Sequence, residues 1–363
     1  MDKATVLVFH GMGEHPTGGG WEKEWMEPLD EMTENLQLDA LEQGKFSDYV
    51  TFTPISYDHN FSKLVTSWKN TASKASDTMT GAQAASFEKV FDAVKNMEEE
   101  SSSGAKKFFR THIIDVLLWR YSQSIRNGVI NDVAVQMIDA IDNAGNKNKV
   151  HAIAHSLGTS VLNGTGHAIA TGGWKSDKAK FFVKNKHFLL SSIHTFANVS
   201  RMLAPKKSRP YDETMLRPKY IGTDGGWCRN FYNYRHPVDP FTWLKPFEAE
   251  QFKQKGKDIE VPGTHIRDLN IHGFEHFIKH PNVIKGLFRG LGLPALSPQD
   301  SDKLDTWYLE QIIPDEIMEF KDKLKQLQNV VSLGDAEGND DDDLITFLET
   351  IVELQKIVPQ IFS

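Results

Sequence analysis

Lys149-Val-His-Ala-Ile-Ala-His-Ser-Leu-Gly158 is the stretch on which the fold turns. Its first six residues read as a short buried strand, and the chain from Leu157 onward reads as a helix, so Ser156 falls on the sharp turn between them. A strand that runs straight into a helix is half of a crossover unit. Where such units recur along a chain, they build a mostly parallel sheet covered on both faces.

They do recur. Ala4-Thr-Val-Leu-Val-Phe9 is a buried strand that stops at His10-Gly-Met-Gly13, a glycine-containing turn. Tyr49-Val-Thr-Phe-Thr-Pro-Ile-Ser-Tyr57 is a second strand, with Pro54 marking a bulge or an edge position. Further strands are expected at Ile193-His-Thr-Phe-Ala197, at Arg229-Asn-Phe-Tyr-Asn-Tyr234 and at His265-Ile-Arg-Asp-Leu-Asn-Ile271. Between the second strand and the central one, apolar residues recur at helical spacing (Leu64, Trp68; Phe87, Val90, Phe91, Val94). Glu98-Glu-Glu-Ser-Ser-Ser-Gly104 breaks that pattern as a solvated linker, and residues 108–142 return to helix with Val129, Val133, Met137 and Ile141 on one face. The expected class is α/β, a mostly parallel sheet flanked by helices. Residues 1–294 would form this domain, and residues 295–363 an acidic C-terminal helical extension.

Composition narrows the function classes. The 363 residues carry 39% hydrophobic, 10% aromatic and 25% charged side chains, ordinary globular values. A net charge of −8 argues against binding nucleic-acid phosphates as the main task. Six acids stand in positions 335–343 with no Lys or Arg, so removing their charge from −8 leaves about −2 for the remainder. This run fails as a calcium loop, with Asp340 where the loop needs glycine and no glutamate at the twelfth position. It reads as a flexible connector into a final helix over residues 344–358. The single cysteine, Cys228, excludes an intrachain disulfide framework and a multi-thiolate zinc site, and it fits a reducing compartment. With no signal-like opening and no apolar run of membrane-spanning length, the expectation is a soluble cytoplasmic protein, for which peripheral membrane contact stays open.

The pentapeptide Ala154-His-Ser-Leu-Gly158 carries the chemistry. Strand and helix approach so closely around such a turn that the positions two before and two after the serine must be small, and Ala154 and Gly158 satisfy this. The plainer alternative is a serine that caps an ordinary helix. With its strand before and helix after, the motif resembles the nucleophile elbow of the α/β-hydrolase superfamily, of the lipase and esterase type, although the first glycine of the usual Gly-x-Ser-x-Gly is alanine here. The resemblance covers residues 4 to about 285 in element order. It implies that Ser156 is a nucleophile and that the backbone N–H groups of Leu157 and Met12 form an oxyanion hole, with His10, Gly11 and Gly13 as the supporting loop. A phosphate-binding loop is excluded there, because no Gly-Lys-Ser/Thr follows.

A serine hydroxyl needs a histidine base, and the base needs an acid to fix its tautomer. In this superfamily the chain order is Ser, acid, His. Asn198, after the fourth strand, is uncharged. Asp239, in Tyr234-Arg-His-Pro-Val-Asp-Pro240, follows the fifth strand between two prolines and is the favoured acid; Asp224 and Asp268 are weaker, and an aspartate in a proline turn is common on its own account. The base is expected at His272 in Asn270-Ile-His-Gly-Phe-Glu-His-Phe-Ile-Lys-His280, with His276 as its substitute. The spacing of His272, His276 and His280 also invites a metal reading, against which Gly273 places His272 in a loop before the helix. His276 and His280 are otherwise read as helix-surface residues. No cofactor and no metal are expected.

The resemblance thus implies hydrolysis of a small-molecule or lipid carboxylic ester, without a nucleic-acid partner. A thioesterase or amidase with the same three residues, and a non-catalytic binding scaffold of this fold, stay open beside it. Residues 60–112 and 203–227 are insertions that either cover the site as a cap or fill out the core.

Overall fold

A computed structural model describes residues 2–12, 15, 19–62, 79, 81–99, 113–184, 188–204, 211, 226–237, 239–242, 245–247, 256–261, 272–310, 341–342, 344–346 and 348–349. Six strands, β1 Ala4–Phe9, β2 Val50–Ile55, β3 Val150–His155, β4 Leu190–Phe196, β5 Cys228–Arg235 and β6 Gly256–Glu260, form one sheet in the order β2-β1-β3-β4-β5-β6. Every pairing is parallel. The order reverses once, because β2 returns to the far side of β1 while every later strand is added in the other direction. The carboxyl ends of β1 and β3 lie side by side at that reversal, the place where open sheets of this kind hold ligands.

Helices cover both faces, as the alternation of strands and helices requires. On one face lie α2 Gly81–Glu99, α3 Ile114–Tyr121, α4 Gln123–Asn143 and α5 Leu157–Thr171; their apolar stripes pack with Leu7, Phe9, Ala152, Ala154, Ile193 and Phe231 of the strands. The other face takes α1 Glu22–Leu36, α7 Phe274–Ile278, α8 Pro281–Gly290 and α9 Pro298–Leu309, packed with Val6, Val8, Ile153, Phe196, Tyr232 and Tyr234. Alternate strand residues serve opposite faces, as the pleat demands. Helix α6, Asp177–Lys184, lies between α5 and β4 in the chain.

Four sequence expectations change. The strand expected over 265–271 lies outside the described residues, whereas β6 over Gly256–Glu260 was not anticipated; it is a charged edge strand whose backbone pairs with β5 on one side. The helix expected to run unbroken over 108–142 is interrupted at Ser122, whose backbone is extended and whose Oγ caps α4 by accepting from Ile125 N–H. Arg126 seals the break, its guanidinium donating to the carbonyls of Trp119 and Arg120 at the end of α3. Helical backbone also begins before the expected position 344. Asp341 and Asp342 already belong to helical backbone, Tyr121 OH donates to Asp341 Oδ1 at 2.8 Å, and Leu344 and Leu348 are buried in the hydrophobic cluster on the α2 and α3 face. Finally, His276 and His280 are buried and not on a helix surface. Of the two readings of Pro54, a bulge or an edge position, the edge holds: among the described residues β2 ends the sheet, and its register with β1 is unbroken.

No helix among the described residues is long and apolar enough to cross a membrane.

Candidate functional site

Strand β3 ends at His155 and α5 begins at Leu157, which leaves Ser156 alone to turn the chain. It does so at φ 50° and ψ −123°, a region that a residue with a Cβ occupies only when its surroundings impose it. The Ser156 N–H donates to the Phe196 carbonyl at 3.0 Å, tying the turn to the end of β4. A Cβ added to Gly158 would stand 2.4 Å from the His10 carbonyl oxygen and 2.6 Å from that of Phe9. The first turn of α5 therefore rests directly on the end of β1, and only glycine admits that approach. Ser156 makes no cap to α5.

Its hydroxyl faces a histidine instead. His272 Nε2 lies 2.9 Å from Ser156 Oγ, and His272 Nδ1 lies 3.1 Å from both carboxylate oxygens of Asp239. All three residues are buried. His272 sits in the turn before α7, whose N-cap is Gly273, so it is presented from a loop. Asp239 is held by its own turn, in which Oδ1 accepts from the Phe241 N–H at 3.0 Å, the usual bond of an aspartate to the residue two ahead. The same Phe241 stacks on the His272 imidazole, with ring centroids 3.9 Å apart. The sequence held a signal for this, Asp followed by Pro-Phe, which sequence reasoning left unused.

The loop after β1 completes the neighbourhood. A Cβ on Gly11 would stand 2.9 Å from His155 Nδ1 and 3.2 Å from Ser156 Cβ, so this loop runs directly against the turn. His10 Nδ1 donates to the Gly11 carbonyl at 2.8 Å. In a trans peptide the N–H points opposite the C=O, so this bond aims the Met12 N–H away from His10. Asp58 Oδ1 lies 3.2 Å from His10 Nε2 but out of line for a hydrogen bond. Complete burial, followed by the neighbouring His15, keeps His10 neutral with its pKa well below the usual histidine range. The Tyr57 hydroxyl donates to the His10 carbonyl and its ring stacks on His10, fixing the loop from the β2 side. Leu157 is the first residue of α5, where an N–H has no intrahelical acceptor.

The sequence-predicted residues divide as follows. Ser156, His272 and Asp239 come together; His10, Gly11 and Met12 lie in the loop beside them, and Gly13 is outside the described residues, as are Asp224 and Asp268. Asn198 does not join the group: Nδ2 donates to Thr195 Oγ1, and Oδ1 accepts from the N–H and hydroxyl of Ser200. His276 lies in α7 and His280 N-caps α8 by accepting from Asn282 N–H, so His272, His276 and His280 share no helical face. Sequence reasoning missed His155, which is buried beside the group with Nε2 2.6 Å from the His272 carbonyl oxygen.

Hydroxyl, imidazole and carboxylate in series are what proton transfer from an attacking alcohol requires. In such a series an imidazole can accept the hydroxyl proton at Nε2 while a carboxylate holds Nδ1–H in the matching tautomer. Comparison of the chain with protein-family models, with curated proteins and with solved structures returns no match.

Proposed function

We propose that this protein is a serine hydrolase of the α/β-hydrolase superfamily that cleaves carboxylic esters through an acyl-enzyme on Ser156. The observation that carries the reading is the single histidine, His272, within hydrogen-bond reach of Ser156 Oγ on one side and of both Asp239 oxygens on the other. The strained turn at Ser156, at the carboxyl edge of a parallel sheet and beside a glycine loop, supports it further.

In this mechanism Ser156 Oγ attacks the ester carbonyl carbon while its proton passes to His272 Nε2. The carbonyl oxygen becomes an oxyanion, which accepts hydrogen bonds from the Leu157 and Met12 N–H groups; these strengthen as charge develops. Collapse breaks the bond to the alcohol oxygen, which takes the proton from His272, and the acyl group stays on Oγ. Water then repeats the sequence, giving its proton to His272 and its oxygen to the acyl carbon, and Oγ leaves with that proton. Asp239 remains a carboxylate throughout and stabilises the imidazolium.

The test is hydrolysis of a graded series of p-nitrophenyl esters beside matched thioesters and amides, with Ser156→Ala as control. Oxygen-ester turnover that the substitution removes supports the proposal. Faster turnover of thioesters or amides reassigns the leaving group, and absence of turnover across the panel speaks for a binding scaffold.

A further inference from the structure

The residue before the nucleophile occupies a junction that the mechanism above leaves unused. The His155 ring is buried among three chain segments. Its Nε2 is 2.6 Å from the His272 carbonyl oxygen, its Nδ1 faces Gly11, and its centroid is 5.0 Å from that of His272. Trp25 of α1 and Phe274 of α7 close on its remaining sides with their edges. A carbonyl only accepts, so the short contact requires a proton on Nε2.

We infer that His155 is a positioning residue: as a neutral Nε2–H tautomer it anchors the His272 backbone and wedges the Gly11 loop, setting the base and the oxyanion loop relative to the nucleophile. The inference rests on the hydrolase reading. Its physical basis is that His272 comes from a loop, where a side chain has no helix or strand to fix its height above Ser156, and a displacement of about 1 Å costs up to about 10²-fold in rate. One bond from the residue adjacent to Ser156 ties the height of the base to the nucleophile itself. The titratable groups that face the ring are His272, from the turn before α7, and His15 and His10, from the loop after β1. Burial first, and the approach of His272 second, lower the His155 pKa to about 3, so the donor persists at any pH where His272 works as a base.

The test compares His155→Phe, which keeps a ring without the donor, with His155→Gln, which keeps an amide donor. The readouts are kcat and KM for p-nitrophenyl acetate as functions of pH and the rate of fluorophosphonate labelling. In His155→Phe, kcat and the labelling rate fall roughly 10- to 100-fold with KM little changed, and His155→Gln recovers most of the loss. Ring-nitrogen NMR of the wild type needs no variant to fold: it shows a neutral His155 with its proton on Nε2 from about pH 5 to about pH 8. A proton on Nδ1, wild-type kinetics in His155→Phe, or a folded His155→Gln as slow as His155→Phe overturns the inference. A wild type that no fluorophosphonate labels ends the hydrolase reading and this one together, whereas equal labelling of wild type and His155→Phe ends this one alone.

Discussion

His272 reaches Ser156 across 116 positions of chain, its Nε2 stopping 2.9 Å from the serine hydroxyl. That contact is made by a loop before α7 meeting a turn after β3, and its other end is made by a third loop that carries Asp239. Ser156 and Asp239 are brought to one edge because β3 and β5 of the same parallel sheet end there, and His272 is presented to that edge from the turn before α7.

Asp239→Asn keeps the shape of the acid but offers an amide to His272 Nδ1, which favours the wrong imidazole tautomer. We expect kcat to fall by about 10⁴-fold with the fold retained, as read by steady-state kinetics beside thermal unfolding. A loss of less than about tenfold removes Asp239 from the proposed mechanism.

Gly158→Ala places a methyl against the backbone of Phe9 and His10, where no flexible side chain is present to yield. Stability falls by about 1–3 kcal/mol, read as a lowered urea midpoint at unchanged slope, and ester turnover falls with it because the turn and the oxyanion loop are pushed apart. An unchanged midpoint contradicts this close approach.

Besides His10 and His155 at the candidate site, a buried histidine pair remote from it makes the fold acid-sensitive. Across β3, β4 and β5, His151 Nδ1 bonds Ser192 Oγ, Ser192 Oγ bonds His194 Nε2, and His194 Nδ1 bonds Tyr234 OH, all buried. Burial first, then Lys149, lowers the His151 pKa to about 4; burial first, then His151, holds His194 well below the usual range. Both rings therefore bind fewer protons folded than unfolded. Their contribution is complete above the unfolded value of 6.5 and is lost as the pH falls from there; for His151 the loss runs down to about 4 and amounts to roughly 3 kcal/mol. Urea titrations at a series of pH values check this: stability independent of pH across that window contradicts it, and His151→Gln flattens the slope.

Leu348 is buried in the same hydrophobic cluster as residues of α2 and α3, although more than 220 residues separate it from them. Leu348→Ala costs about 2–5 kcal/mol by urea unfolding, whereas a C-terminal turn that contributes nothing to the body leaves the midpoint unmoved.

The parallel sheet, and the meeting of the three candidate side chains, were legible because their signals are local. The strand, turn and helix around Ser156 identify themselves within ten residues, and Gly273 marks His272 as a loop residue. What escaped depends on contacts between distant segments. Strand β6 is held by pairing with β5, and its lysine, aspartate and glutamate disguise it. Ser122 breaks a helix because Arg126 and its own hydroxyl take over the freed backbone groups. His276 and His280 look solvated at helical spacing, yet both are buried, His276 against His236 just after β5 and His280 against Tyr308 of α9. His155 reads as a strand residue until the turn before α7 comes to lie on it.

The central claim is that Ser156 is a nucleophile activated by His272. Its most direct test is reaction of the folded protein with a fluorophosphonate, followed by mass mapping of the labelled peptide. We predict one adduct, on Ser156, absent from Ser156→Ala and strongly slowed in His272→Ala. A folded wild type left unlabelled, or labelled at another residue, contradicts the claim.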